Sequence, residues 1–134
     1  MILENYLEQH KGIKKQVEVV KKLSQDNNLC SNASQIGTEI SRLAGVIRIH
    51  LSSEDKFMYP KLVNSEDDMI RKKAALYQEE MGNLMEVFTI FKEKYNTKQK
   101  ILENSSSFQK DLKEIVAQLS KRMEKEEKEL YKFL

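Results

Sequence analysis

Two histidines and two glutamates are the residues of this sequence best suited to bind a metal ion. They are His10, His50, Glu54 and Glu126. His50 and Glu54 stand four residues apart, a spacing that puts both side chains on one face of a helix. All four lie on otherwise apolar stripes, and a charge that is buried there needs a partner or a metal. Two nitrogen and two oxygen donors suit a divalent ion such as iron, zinc or manganese.

The two glutamates belong to an internal repeat. The stretch IRIHLSSEDKFMYPKL, residues 47–62, aligns with LSKRMEKEEKELYKFL, residues 119–134. The matched pairs include Glu54 with Glu126, Lys56 with Lys128, Tyr59 with Tyr131 and Leu62 with Leu134. His50 falls on Arg122, whose guanidinium has no lone pair and cannot ligate a metal. We expect Arg122 to lie within hydrogen-bonding distance of Glu54 or Glu126 and to neutralise part of their charge.

Four stretches with apolar residues at three- and four-residue steps must position these side chains. The pattern predicts amphipathic helices at about residues 2–26, 34–61, 66–96 and 106–134. Only four glycines and one proline occur in the chain, which disfavours a fold with many tight turns. The fold class is therefore predicted as all-α, a left-handed four-helix bundle with up-down-up-down topology.

Local signals predict where these helices begin and end. Ser34 or Asn32 is expected to cap the second helix, and Ser65 with Asp68 forms a capping box for the third. Pro60 should end or kink the second helix, because it has no amide hydrogen and disfavours helical geometry at the residue before it. The stretch NTKQKILENSSS, residues 96–107, is interpreted as a linker with some helical turns.

Counting along the predicted helices places four residues at one depth of the bundle. His10 lies about 16 residues before the first helix ends, and His50 about 16 after the second begins, each about 24 Å of helix. Met81 and Arg122 fall at about the same depth in the third and fourth helices. We therefore expect the candidate ligands, Met81 and Arg122 to line one interior layer.

Length and composition narrow the class of protein. At 134 residues, with 40% hydrophobic and 33% charged residues, one globular domain spanning residues 1–134 is expected. The net charge of +2 comes from interleaved charges, which argues against a nucleic-acid partner. The chain has no apolar run of membrane-spanning length and no signal-peptide core in MILENYLEQH. The single cysteine, Cys30, fits a reducing compartment, so a cytoplasmic location is expected.

The helical stretches resemble the hemerythrin-like family of HHE cation-binding domains. The resemblance is carried by LEQHKGI, HLSSEDKFMYPKL, YQEEMGNLM and RMEKEEKELYKFL, and it covers nearly the whole chain. Members of that family hold two irons in a four-helix bundle, bridged by two carboxylates and ligated by histidines from all four helices. The resemblance implies that His10 and His50 ligate one iron and that Glu54 and Glu126 correspond to the bridging carboxylates.

The same resemblance implies that the second iron site is incomplete. Met81 stands where the third helix should supply a histidine, and Arg122 stands where the fourth should. A further third-helix histidine would fall on Tyr77 or Met85, and Glu80 is the nearest oxygen donor, one residue out of phase. We therefore expect a degenerate site with at most one ion, iron first, with zinc or manganese as alternatives.

Two functions remain open from the sequence. The first is a non-enzymatic metal-binding protein that senses or stores iron, or responds to a diatomic ligand such as oxygen or nitric oxide. The second is a metal-free interaction or regulatory module with a protein partner, in which His10 and His50 bond to the glutamates and Arg122 completes a polar network. In both, Tyr59 and Tyr131 are expected at helix ends, with buried rings and hydroxyls in water.

Overall fold

Helices make up nearly all of the chain. The computed structural model describes residues 2–134, and no strand occurs among them, so the predicted all-α class is confirmed. The α-helices are α1 (Ile2–Leu23), α2 (Leu29–Ser53), α3 (Tyr59–Val63), α4 (Asp68–Tyr95), α5 (Lys98–Glu103) and α6 (Ser105–Lys125). Turns of π-helix cover Glu54–Met58 and Glu126–Leu130, and turns of 3-10 helix cover Asp26–Asn28 and Tyr131–Phe133.

The four long helices, α1, α2, α4 and α6, form the predicted up-down-up-down bundle. α1 packs on α2 and α4 packs on α6, while contacts between α2 and α4 and between α1 and α6 join the two pairs. The inward stripes meet in an apolar core whose fully buried members include Val20, Ile36, Ile40, Phe88 and Phe108. Burying one such side chain contributes about 1.5–3 kcal/mol. Within residues 2–134, no helix has both the length and the apolar character that a bilayer span requires.

The connection from α1 to α2 is shorter than predicted. α2 begins at Leu29, so Asn32 and Ser34 lie inside it and neither is its N-cap. Asn32 Nδ2 instead donates a 3.0 Å hydrogen bond to the carbonyl oxygen of Leu23. The prediction of a cap at Ser34 or Asn32 was wrong, because the amide side chain serves the unpaired carbonyl at the end of the preceding helix.

The start of α4 also differs from the prediction. Asp67 is the N-cap, and its Oδ1 accepts hydrogen bonds from the amides of Met69 at 2.8 Å and Ile70 at 3.3 Å. Ser65 Oγ accepts from the amide of Asp67 at 3.2 Å, one step before the helix. The predicted capping box of Ser65 with Asp68 was therefore wrong, because the charged carboxylate of Asp67 is the stronger acceptor for the helix amides.

Pro60 does not end the second helical segment. It lies in the first turn of α3, where a missing amide hydrogen is tolerated, and helical structure continues to Val63. The winding changes before the proline, in the π turn that begins at Glu54. A second π turn begins at Glu126, the matching position of the repeat, where no proline follows. The π turn is therefore a property of the repeated segment and not of Pro60.

The segment predicted as a linker contains a helix, α5, that packs against α2, α4 and α6. Thr97 is its N-cap, and Thr97 Oγ1 accepts a 3.2 Å hydrogen bond from the amide of Lys100. The turn before α5 approaches α2 at Gly37, where an added Cβ would lie 2.9 Å from the carbonyl carbon and oxygen of Asn96. Only glycine fits this contact without a shift of the backbone.

Candidate metal centre

The predicted metal ligands meet in the interior of the bundle. His10 comes from α1, His50 from the last turn of α2, and Glu54 and Glu126 from the first residues of the two π turns. One donor atom from each residue lies within 4.8 Å of the others, and none of the four is more than 3% exposed. Helical segments far apart in sequence thus place two imidazoles and two carboxylates in one buried cluster.

Four of the six distances between donor atoms are close to the edges of a single coordination shell. His10 Nε2 lies 3.0 Å from His50 Nε2 and 3.2 Å from Glu126 Oε1. His50 Nε2 lies 3.3 Å from Glu54 Oε2 and 3.7 Å from Glu126 Oε1. Ligands that each lie about 2.0–2.2 Å from one ion are about 3 Å from their neighbours. The cluster therefore has the dimensions of a site for one ion.

Gln9 determines which ring nitrogen of His50 carries the lone pair that faces the cluster. His50 Nδ1 donates a 2.6 Å hydrogen bond to Gln9 Oε1, which leaves Nε2 of a neutral imidazole as the acceptor facing the cluster. Metal-binding histidines commonly have their second nitrogen held in this way. Sequence reasoning missed Gln9, because a glutamine beside a histidine carries no signal of its own.

The two tyrosines of the repeat reach across the bundle to the opposite glutamate. Tyr131 Oη donates to Glu54 Oε2 at 2.8 Å, and Tyr59 Oη donates to Glu126 Oε2 at 3.5 Å. Tyr131 is 2% exposed and Tyr59 is fully buried. The prediction that both hydroxyls reach water was wrong. They close the cluster from the end of the bundle where the chain finishes.

The π turns explain why the tyrosines point inward. A residue five positions along a regular α-helix points about 140° away from the first. The extra residue in a π turn brings that later side chain back towards the original face. Glu54 with Tyr59, and Glu126 with Tyr131, are each separated by one such turn. The extra residue of each π turn therefore brings the hydroxyls of both tyrosines to the glutamates and away from water.

Some atoms of the cluster have no hydrogen-bond partner among residues 2–134. They include Glu54 Oε1 and His10 Nδ1, both buried. The nearest carboxylate oxygen to His10 Nδ1, Oε2 of Glu127, is 3.8 Å away. An unpaired buried polar atom costs about 1–3 kcal/mol. A cation among the four donors would give the free oxygen of Glu54 a favourable electrostatic partner, so the residues present fit a metal.

Within the cluster, the pKa values of His50 and Glu54 are raised, whereas the pKa of His10 is lowered. Burial lowers the pKa of His50, but hydrogen bonds and charge from Glu126 and Glu54 outweigh burial and raise it to about 9. Burial, and then the charge of His50, lower the pKa of His10 to about 4. Burial raises the pKa of Glu54 to about 7, against the hydrogen bond with His50. Without a metal, a proton on His50 is therefore what balances the glutamates.

Arg122 lies in the interior, as predicted, but its partner is not the predicted one. The side chain is 8% exposed, and Nη2 donates to Glu80 Oε2 while the guanidinium lies 4.8 Å above the ring of Tyr77. The ion pair of Arg122 within residues 2–134 is with Glu80, so the prediction of a bond to Glu54 or Glu126 was wrong. Glu80 is 38% exposed, and pairing there costs less desolvation than pairing with a fully buried glutamate.

The two halves of the bundle repeat one arrangement with different residues. In the first half, Gln9 of α1 binds His50 of α2. In the second half, Glu80 of α4 binds Arg122 of α6. Met81 follows Glu80 as His10 follows Gln9. The second half thus contains an internal ion pair and a thioether where the first half contains two imidazoles.

Comparison with known proteins gives one match. A family model described as the hemerythrin HHE cation binding domain matches residues 1–134. No curated protein and no solved structure gives a significant match.

Proposed function

Because the chain belongs to the hemerythrin HHE cation-binding family, we propose that it binds a single metal ion, iron, and is not an enzyme. The proposed ligands are His10, His50, Glu54 and Glu126. The observation that carries this proposal is the convergence of four buried donor atoms at the spacing of one coordination shell. The buried oxygen of Glu54 without a partner supports it further.

The residues in the second half of the bundle are the reason why we expect only one ion per chain. Arg122 carries a permanent positive charge and no lone pair, so it cannot ligate and it repels a cation. Its partner Glu80 is already engaged in an ion pair. Met81 offers only a soft thioether, a poor match for iron beside two carboxylates. These three residues therefore leave a second metal site incomplete.

Iron is the ion that this donor set and the family favour together. Imidazoles suit iron and zinc, and carboxylates suit manganese and iron, so only a borderline ion satisfies both kinds of donor equally. Two histidines with carboxylates and open positions are typical of non-haem iron. Zinc and manganese fit the same distances and are the competing ions in a binding experiment.

We propose that the bound iron is sensed or stored, and that a diatomic molecule reaches it. Iron held by His10, Glu54 and Glu126 would tie α1 to both π turns, so binding would be linked to the stability of the fold. A small apolar cavity of about 20 Å³ lies beside His50 and Glu126 and extends to Met81. That volume holds about one water-sized molecule, which suits oxygen or nitric oxide.

Metal analysis of freshly purified protein tests the proposal directly. We expect about one iron per chain, and anaerobic titration with Fe²⁺ should give one site. Glu126→Gln should lower the affinity at least about tenfold. Glu39→Gln is the matched control, because Glu39 is a buried glutamate that pairs with Gln16 and Arg42, outside the cluster.

A metal-free interaction module is the second candidate. One observation favours it, since Tyr131 donates to Glu54 and His50 lies beside Glu54 and Glu126, so the cluster has internal partners. Protein that carries no metal after purification, and gains none in titrations with iron, zinc or manganese, would support this module and contradict the metal site.

A further inference from the structure

We propose that Tyr131 is a fifth ligand of the bound ion, through its phenolate oxygen, and that the site is built for ferric iron. This inference rests on the proposed function and names the ion more narrowly. Tyr131 is not among the residues that the sequence predicted as ligands. It comes from the last helical turn of the chain, Tyr131–Phe133.

The hydroxyl of Tyr131 lies inside the donor cluster and not at its edge. Its Oη is 2.8 Å from Glu54 Oε2, 3.0 Å from His10 Nε2 and 3.4 Å from His50 Nε2. The two distances to the histidines fall in the range of 3.0–3.7 Å that separates the histidine and glutamate donors from one another, and the distance to Glu54 is slightly shorter. A bound ion among the four donors would therefore have the oxygen of Tyr131 within reach as a further ligand.

Without a metal, these contacts are hydrogen bonds. The phenol donates its one hydrogen to Glu54, and its oxygen can accept from an Nε2–H of His10 or His50. Tyr59, the counterpart in the repeat, meets a single glutamate at 3.5 Å. The two tyrosines thus share a sequence position in the repeat and a buried setting, but only Tyr131 contacts three donor atoms.

The ring of Tyr131 packs against two other rings, which restricts the movement of its oxygen. It stacks on His10 with ring centroids 5.3 Å apart and on Tyr6 with centroids 5.5 Å apart. The hydroxyl of Tyr6 donates to the carbonyl of Ser53 at 3.0 Å, at the end of α2. Stacked neighbours that are themselves anchored give the preorganised geometry that a metal ligand needs.

The charge of the ligand set points to ferric iron. Two carboxylates and one phenolate carry three negative charges, which balance Fe³⁺ in a buried site where an uncompensated charge is costly. Phenolate is also a hard oxygen donor of the kind that a small, highly charged ion prefers. On coordination the O–H bond breaks, an oxygen–iron bond forms, and the proton leaves to solvent.

Spectroscopy of iron-loaded protein tests the proposal. The protein is loaded with Fe²⁺ without oxygen and oxidised with ferricyanide, which takes one electron from each iron. We expect a visible charge-transfer band from phenolate to ferric iron, with resonance Raman modes that shift when the protein carries ring-deuterated tyrosine. Tyr131→Phe should abolish the band and lower the iron affinity at least about tenfold. Tyr59→Phe, the matched control, should retain the band.

Each other outcome contradicts a stated part of the proposal. A band that survives in Tyr131→Phe, or bound ferric iron without tyrosine modes in the parent protein, would overturn the role of Tyr131 and leave the four-ligand site in place. Absence of bound iron in the parent would overturn both. The isotope measurement uses the unmodified chain, so the result stands even where Tyr131→Phe fails to fold.

Discussion

His50 Nδ1 donates a hydrogen bond of 2.6 Å to the amide oxygen of Gln9. This contact fixes the tautomer of His50 and aims Nε2 at the other donors. Gln9→Ala should therefore lower metal affinity about 10–100-fold without removing a ligand. Gln16→Ala is the control, because Gln16 lies on the same helix and bonds to Glu39 outside the cluster. Equal affinities for the two variants in competition titrations would show that Gln9 does not orient His50.

The ion pair between Arg122 and Glu80 should be measurable as a coupling energy. A double-mutant cycle with Arg122→Met and Glu80→Gln should give a coupling of about 1 kcal/mol in urea unfolding. The value is modest because Glu80 is 38% exposed and water screens the pair. The same cycle with Glu79→Gln in place of Glu80→Gln should give no coupling, because Glu79 is the exposed neighbour of Glu80 on α4. A larger coupling for Glu79 would assign Arg122 a different partner.

Replacing the second half of the cluster by histidines should create a second iron site. Met81 and Arg122 occupy the places that match His10 and His50, so the double variant Met81→His, Arg122→His restores both imidazoles. Iron per chain should rise from about one to about two in metal analysis. The double variant Met81→Leu, Arg122→Met removes the cation without adding ligands, and its iron content should stay at about one. If the histidine variant binds no additional iron, other residues in the second half of the bundle prevent a second ion from binding.

The stability of the metal-free protein should fall as pH rises from 7 to 9. Hydrogen bonds to Glu126 and Glu54 raise the pKa of His50 from 6.5 to about 9, against the effect of burial. The folded state therefore binds a proton in this range that the unfolded state does not, so its advantage is complete below pH 6.5 and lost as pH passes 9.

The loss between pH 7 and 9 should be about 1–3 kcal/mol in chemical denaturation of chelator-treated protein. The raised pKa of Glu54, about 7, acts in the same direction at lower pH, whereas the lowered pKa of His10, about 4, acts in the opposite direction. His50→Gln should flatten the curve above pH 7. A slope that persists in this variant would assign the proton to another group.

Gly37→Ala should destabilise the bundle by about 1–3 kcal/mol. The added methyl group would meet the backbone of Asn96 at 2.9 Å, so α2 and the turn before α5 would have to separate. Gly45→Ala is the control on the same helix, because nothing lies within 4 Å of its Cβ. That substitution should stabilise the protein by up to about 1 kcal/mol through helix propensity. Thermal unfolding of both variants measures the difference.

Much of the fold was predictable because helix formation leaves a local record. Apolar residues at three- and four-residue steps identified all four long helices, and the same steps placed His10, His50 and Glu54 on inward faces. The boundaries were less predictable. Asn32 and Ser65 have side chains that suit a helix cap, but each bonds to a neighbouring segment or turn instead. Composition does not reveal which unpaired backbone group lies nearest to such a side chain.

The amino-acid sequence alone predicted the bundle and the four candidate ligands, and the family resemblance implied that two histidines are missing from the second half. Only the tertiary structure decided which residues surround those ligands. Gln9 pairs with His50 because the two side chains lie close together, and Glu80 pairs with Arg122 because that pairing costs less desolvation. Neither pairing leaves a pattern in the sequence. The inward position of Tyr131 depends on the π turn before it, where one extra residue turns the side chain to the other face. That change of winding leaves no mark in the apolar pattern, so the sequence predicted the buried ring of Tyr131 but placed in water the hydroxyl that contacts the donors.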